Sequence, residues 1–262
     1  MVKKEQGEIT LGGMALNYAG YSDVGMVREC NEDDFLILPH QGVFCVADGV
    51  GGLEAGDVAS KMLLAIIKKM YENSGGLFFA KLQAFLFPHE RRVLLEKAVQ
   101  RANATIYDQK EECGKNMATT LAAVHLSRKK AYVVHVGDCR VYVFRNDTLS
   151  QLTRDHSLVA ELYLKGAISY AQVKDHPYRH VVTRAVGAKP YVTTSAQLVD
   201  IGRGDTVFIC SDGLSNMVSD QQLMEHMREY GSDVTRLGET LVDRANKAGG
   251  RDNITLVAIH LS

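Results

Sequence analysis

Four apolar runs of this chain meet an aspartate at one end: VFCVAD (43–48), AYVVHVGD (131–138), TVFICSD (206–212) and DNITLVAIHL (252–261). Runs this short, rich in β-branched and aromatic residues, read as strands. A carboxylate at the mouth of a buried strand is costly to desolvate, so the pattern restricts the fold. The strand ends must reach a sheet's rim, where Asp48, Asp138, Asp212 and Asp252 can share one opening. Gly49, Gly137 and Gly213 stand beside three of them, where a missing side chain lets backbone approach a ligand. Any one of these aspartates is as readily a turn former. Four together at apolar strand ends are not.

Further strand-like runs occupy 14–25, 35–38, 119–126, 141–144 and 191–199, several joined by short polar turns such as RND (145–147). That spacing predicts antiparallel pairing rather than parallel crossovers. Between them, Ala59, Met62, Leu63, Ile66, Ile67 and Met70 draw one apolar helical stripe, and Leu94, Leu95, Ala98, Ala102 and Ile106 draw another. A helical pair is expected over about 219–248, closed by Gly249-Gly250. Runs of strands with grouped helices predict an α+β chain: two antiparallel sheets packed face to face, helices outside. With no linker, repeat or low-complexity tract, residues 1–262 read as a single domain.

Composition excludes some functions. The 30 Lys and Arg nearly cancel the 31 Asp and Glu, so no global field favours nucleic acid or an anionic membrane. The five cysteines form no CxxC and are odd in number, which predicts a reduced setting. The opening MVKKEQGEIT lacks a signal peptide's apolar core, and no window approaches a membrane span. These features predict a soluble, cytoplasmic protein.

If the four aspartates converge, each pair about 4 Å apart repels by roughly 4 kcal/mol at an effective dielectric of about 20. Several such pairs rival a domain's net stability of about 5–15 kcal/mol. Protons or cations must neutralise them. Oxygen-only ligands, with no His or Cys at matching positions, select hard ions, Mg²⁺ or Mn²⁺ rather than Zn²⁺.

The motifs R-x-x-NED (28–33), VADGVGG (46–52), MATT (117–120), VGDCR (136–140), LTRDHS (152–157), VVTRAVG (181–187), FICSDGLSNMV (208–218) and GGRDNITLV (249–257) occur in this order. The set resembles the PPM, or PP2C-type, protein serine/threonine phosphatases, above all their compact bacterial members, over nearly the whole chain. The resemblance implies a four-layer αββα sandwich with a small flap at about 152–187. It implies that Asp48 is shared by two metal ions, with the Gly49 carbonyl on one of them and Asp212 and Asp252 completing the second. Glu32 and Asp33 would act mostly through metal-bound waters, and Asp138 would serve a third, weaker ion. Arg28 matches the phosphate-clamping arginine, a role suited to a planar guanidinium. The implied reaction is hydrolysis of phosphoserine and phosphothreonine on proteins, by direct attack of a hydroxide bridging two Mn²⁺ or Mg²⁺ ions. The implied partners are a bacterial eukaryotic-like Ser/Thr kinase and its substrates, met by a monomer.

Departures from the family pattern matter. Val50 stands where eukaryotic members place a histidine regarded as a proton donor, which leaves water, His156 or His180 to protonate the leaving group. Ala118 replaces a glycine, and Cys139 a common serine; Cys139 reads first as a small buried residue. Lys165, Lys174, Arg179 and Arg184 in the flap read equally as a solvated face or a substrate contact. The apolar 75–92 stretch reads as core rather than as a docking patch. A two-metal phosphodiesterase and a pseudophosphatase that only binds phosphoproteins are the rival functions. A missing basic-aromatic strip argues against the first, and a full set of expected ligands against the second.

Overall fold

Alternation along a single strand sets the architecture. In β4 (Val43–Val50), Phe44 and Val46 belong to one buried cluster, while Val43, Cys45 and Ala47 belong to another. Both faces of the strand are therefore covered, as successive side chains must point to opposite sides. The computed structural model describes residues 2–51, 55–73, 88–127 and 129–262, without the side chains of 88–92 and 174.

The first sheet runs in the order β1 (Lys3–Leu11), β2 (Met14–Asp23), β12 (Ile254–Leu261), β11 (Thr206–Cys210), β8 (Arg140–Arg145) and β9 (Thr148–Gln151). The second runs β10 (Ser195–Asp200), β7 (Lys130–Val136), β6 (Leu121–Ser127), β4 and β3 (Asp33–Leu38), with the two-residue β5 (Ala118–Thr119) on the end of β4. Every pairing is antiparallel. Phe35, Ile37, Phe44, Val46, Val124 and Val133 of one sheet pack against Leu16, Val141, Val207, Ile209, Val257 and Ile259 of the other.

Helices close both outer faces. The stripe Ala59, Leu63 and Ile67 of α1 (Ala55–Asn73) and the Leu95, Ala98, Ala102 and Ile106 stripe of α2 (Pro88–Cys113) cover the second sheet. On the first sheet lie α6 (Asp220–Tyr230) and α7 (Val234–Lys247), whose Leu223, Met227, Leu237 and Leu241 pack on Tyr21, Phe208 and Leu256. Their starts carry side-chain caps: Ser219 makes a capping box with Gln222, and Asp233 accepts from Arg236 N–H at 3.1 Å. Among the described residues, no helix is long and apolar enough to cross a membrane.

Two strands differ most from the sequence reading. β1 escaped it: KKEQGEITL is exposed along almost its whole length and carries no alternation to see. The run read as starting at Tyr191 enters the ladder only at Ser195, and Tyr191 is 88% exposed. The 75–87 stretch lies outside the described residues.

Antiparallel pairing also decides where the aspartates go. β3 starts where β4 ends, and β7, two strands over, runs parallel to β4 and ends on that side. In the facing sheet β11 ends where β12 begins. All four strand ends named by the sequence therefore meet at one end of the sandwich.

Candidate metal centre and phosphate cleft

At that end a cleft of about 890 Å³ is lined by Arg28, Glu32, Asp48, Gly49, Asp138, Asp212 and Asp252. These are the residues the sequence singled out, with one exception. Asp33 is buried behind the cleft wall, where Ser211 Oγ donates to its Oδ2 at 2.7 Å. Ser211 Oγ in turn accepts from Thr255 N–H of its own sheet at 3.0 Å, so it is the bond to Asp33 of β3 that ties the two sheets together beneath the site.

Asp48 lies inside the β4 ladder, cross-strand from Asp33. It keeps the parity of Phe44 and Val46 and so faces the inter-sheet space. Its peptide is held by the MATT segment: Thr120 N–H donates to Asp48 O at 2.8 Å and Thr119 Oγ1 at 2.9 Å. Gly49 is required by packing, since a Cβ there would lie 2.3 Å from Gly56 O and 2.7 Å from Glu32 O. Glu32 is fixed through its backbone, whose N–H donates to Asn253 Oδ1 at 2.8 Å and whose carbonyl accepts from Ser60 Oγ at 2.6 Å. Asp212 opens the one-turn α5 (Asp212–Ser215) directly after β11.

The electrostatics are those of crowded acids. Burial, then the charges of Asp33, Asp212, Asp138 and Asp252, push the Asp48 carboxyl well above the usual carboxylate range. Burial also raises Asp138 strongly, with Asp212 next. Asp33 is raised by burial and by Asp212 and Asp252 against the relief of its Ser211 and Thr255 bonds. Asp212 is raised by burial and Asp252, eased by a bond to Asp48 and by the nearby His180. Glu32 is raised by burial and relieved by Arg28. Groups pushed this way either hold protons or gather cations.

The donor set fits a hard divalent cation. It is all oxygen, and Asp138 Oδ1 is buried without a hydrogen-bond partner, a costly arrangement that a cation would relieve. Among the described residues, no three such side chains crowd one point closely enough to hold an ion as they stand. Asp252 is shared with Arg28, whose Nη2 donates to its Oδ2 at 2.8 Å.

Two candidate proton donors separate. His180 lines the cleft. His156 is buried and engaged on both ring nitrogens, with its pKa pushed down to about 4 by burial, His135 and Arg184, so it is no acid for the leaving group. Val50 is 39% exposed in the cleft wall and has no proton to give. Cys139 is buried against Thr120 Oγ1 at 3.0 Å, with its thiol pushed far up by burial. Of the flap's basic residues, Arg179 lines the cleft and Arg184 turns to His156; the Lys174 side chain lies outside the described set.

Sequence reasoning missed three supports. Arg140, which lines the cleft, forks onto Asp155 with Nε 3.0 Å from Oδ1 and Nη2 2.7 Å from Oδ2. Asn253 donates to Val24 O at 2.9 Å and Cys30 O at 3.0 Å, pinning the Arg28 loop to the strand that carries Asp252. Ser211 is the third. All three sit inside motifs already noted, beside more conspicuous acids.

Known proteins resemble this chain along nearly its whole length. A serine/threonine phosphatase Stp from Listeria welshimeri is 35% identical over 243 residues, 91% of this chain and 93% of that protein. Stp1 of Staphylococcus aureus superposes with a TM-score of 0.86 at 27% identity, over 98% of this chain and 99% of that one. The catalytic domain of PstP, solved in complex with two manganese ions, superposes with a TM-score of 0.79 at 31% identity, over 95% of this chain and 99% of that one. The family model described as protein phosphatase 2C matches residues 26–252, the span that contains every cleft residue named above, and the chain belongs to that family.

Proposed function

We propose that this chain is a metal-dependent protein phosphatase that hydrolyses phosphoserine and phosphothreonine esters on proteins. The observation that carries the reading is the convergence of Asp48, Asp138, Asp212 and Asp252 on one cleft with Arg28 at its edge. In this reading Asp48, Asp212 and Asp252, with the Gly49 carbonyl, hold two divalent cations. Manganese is the favoured ion, since a relative binds two of them, and Asp138 offers a third site. Glu32 acts from the cleft wall and Asp33 from behind it. Bound there, the cations would supply a water of lowered pKa and absorb charge on the phosphoryl oxygens.

The protein's own groups do the rest. Arg28, released from Asp252, presents two parallel N–H donors to the non-ester phosphate oxygens and orients the ester for in-line attack. The carboxylates keep the attacking side acceptor-only, so a water's lone pair is turned outward to phosphorus. The leaving alkoxide takes its proton from solvent or from His180, the imidazole facing the cleft. No side chain is a nucleophile, so the bond to phosphorus passes directly from ester oxygen to water. The flap over 152–187, the cytoplasmic setting, the monomeric state and an opposing bacterial Ser/Thr kinase belong to the same reading; the bacterial relatives of matching length support the enzyme class.

The test is phosphate release from a phosphothreonine peptide with Mn²⁺, beside bis-p-nitrophenyl phosphate and an Asp48→Asn control. Release from the peptide alone, abolished by the substitution, is expected. Cleavage of the diester only, or of neither substrate, overturns the reading.

A further inference from the structure

The cleft does not end at its acids. Val159 of α3 (Leu158–Leu164) and Tyr170 and Val173 of α4 (Tyr170–Asp175) line it as well, as do Ser219, Asp220 and Gln222 at the start of α6. Asp220 also lines a second, smaller cavity of about 190 Å³, together with Tyr142, Leu149, Gln151, Gln221 and Met224. The first turn of α6 thus divides the two spaces, and Asp220 belongs to both.

That turn is firmly built. Ser219 N–H donates to Gln222 Oε1 at 3.1 Å and Gln222 N–H donates to Ser219 Oγ at 3.3 Å, which fixes the backbone on either side of Asp220. The Asp220 side chain is exposed and yet held. Tyr142 O–H donates to its Oδ1 at 3.2 Å, and Arg140 Nη1 donates to the same phenol oxygen at 3.2 Å. Arg140 also forks onto Asp155 in the cleft wall, so its own charge is already matched. A chain of bonds therefore runs from the cleft to Asp220 and leaves its Oδ2 to a ligand.

The lining decides what the smaller cavity can take. At about 190 Å³ it falls below the roughly 300–1,000 Å³ of a small-molecule pocket, so it suits a single side chain. Leu149 and Gln151 lie two apart on β9 and share a face, with Gln151 cross-strand from Tyr142. Leu149, Met224 and Tyr142 offer apolar surface, and the amides of Gln151 and Gln221 offer carbonyl acceptors. The one charged group in the lining is the Asp220 carboxylate. An anionic side chain is repelled there, and a purely apolar one would strip water from the carboxylate without replacing it. Lysine or arginine fits both halves, its methylene stem on the apolar wall and its cation on Asp220.

We propose that this cavity is a substrate subsite that takes a basic side chain lying close in sequence to the phosphorylated residue. The divide is one helical turn, about 5.4 Å, which an extended chain crosses in about two residues. The source of the side chain rests on the phosphatase reading. The cavity's preference for a cation does not.

Phosphothreonine peptides carrying one arginine at successive positions on either side of the phosphoresidue are the probe. One position is expected to lower KM about five-fold with kcat little changed, since the contact is remote from the reacting bond. Lysine should share the gain, and methionine, which has a stem and no charge, should not. Asp220→Asn is expected to abolish the gain. Asp220→Lys should transfer it to a glutamate at the same position, an exchange that a merely structural role would not produce. Gln221→Lys sets a cation on the cavity wall and should repel the same arginine, which decides the matter if the Asp220 variants do not fold. A gain spread over all positions, shared by methionine, or kept in Asp220→Asn overturns the subsite. Binding can also be read without turnover. A short phosphate-free arginine peptide, titrated into the protein without added metal, should shift the amide NMR signals of Asp220, Gln221 and Met224, and should leave the Asp220→Asn protein unmoved. Unmoved wild-type signals overturn the subsite, whereas a protein that releases phosphate from no peptide overturns the functional reading and leaves the titration to judge the cavity.

Discussion

The Arg28 guanidinium donates to Asp252 Oδ2 at 2.8 Å, so the residue proposed to grip phosphate holds one proposed to grip a cation. A divalent ion must compete with Arg28 for that carboxylate. Exposed pairs of this kind are worth about 0.2–1 kcal/mol. Arg28→Gln is therefore expected to bind Mn²⁺ about two- to five-fold more tightly by calorimetry, while losing about 100-fold in kcat/KM on a phosphopeptide. Unchanged manganese affinity would show that the pair does not compete.

Asp48 sits under the repulsion of four other aspartates, with burial the larger penalty. Removing its charge should relieve the fold while destroying the site. Asp48→Asn without added metal is expected to be more stable by about 1 kcal/mol, or roughly 2–4 °C in Tm for a chain of this size. Manganese should raise the Tm of the wild type and leave the variant unmoved. A variant that melts lower than wild type in the absence of metal contradicts the electrostatics described.

His156 titrates near pH 4 in the folded chain, against about 6.5 for an unfolded imidazole. Between those values the unfolded chain binds a proton there that the folded chain does not, so stability rises with pH across the window and falls as the medium is acidified through it. The groups facing the ring are His135, Arg184 and Ser195, and the first two oppose its protonation. The raised cleft acids lose stability over the same range, so the histidine is read as a difference: from pH 4 to 7 the wild-type midpoint should gain relative to that of His156→Asn. Equal slopes would place the titration elsewhere.

Asn253 makes three bonds: to Val24 O, to Cys30 O, and from Glu32 N–H. At about 1 kcal/mol each, Asn253→Ala should cost roughly 2–4 kcal/mol by denaturant titration. Asn253→Asp should be no better, because a carboxylate cannot donate to two carbonyls and buries a charge beside Asp252. If the aspartate variant were as stable as wild type, the two carbonyl bonds would not matter.

The thiols divide cleanly. Cys30 and Cys113 are exposed, whereas Cys45, Cys139 and Cys210 are buried, with the Cys210 thiol pushed up to about 12 by burial. Iodoacetamide on the native protein should label the first two and spare the other three, read by peptide mass spectrometry. Labelling of Cys139 ahead of Cys113 would contradict its burial.

Much of the fold and site is legible in the sequence, for physical reasons. Asp48, Asp138, Asp212 and Asp252 stand out because an acid beside an apolar run breaks a pattern; antiparallel pairing then gathers them two to a sheet, and the packing of the sheets joins the pairs. Asn253 and Ser211 break no pattern: a polar residue beside an aspartate at a strand end is ordinary, and their partners are far away in sequence. The Arg140–Asp155 fork was hidden because its members belong to two motifs whose proximity depends on the β8–β9 hairpin. β1 was missed because an edge strand wet on both faces writes no period into its residues. His156 reads in the sequence as a possible acid, and burial and occupied nitrogens, which only packing reveals, exclude that role.

The β3–β4 hairpin turns at Pro39–Gln41, with Gly42 N–H donating back to Pro39 O at 3.1 Å, and its ladder then counts six pairs from Leu38 and Val43 to Asp33 and Asp48. That turn lies roughly 17 Å from the acids, five steps of about 3.4 Å, and touches no ligand. Yet a one-residue slip of the strand counted from that turn would present Ala47 or Gly49 to the inter-sheet gap in place of Asp48. A loop on the far side of the molecule is thus not free to drift in length: it is the ruler from which the chemistry at the opposite end is measured.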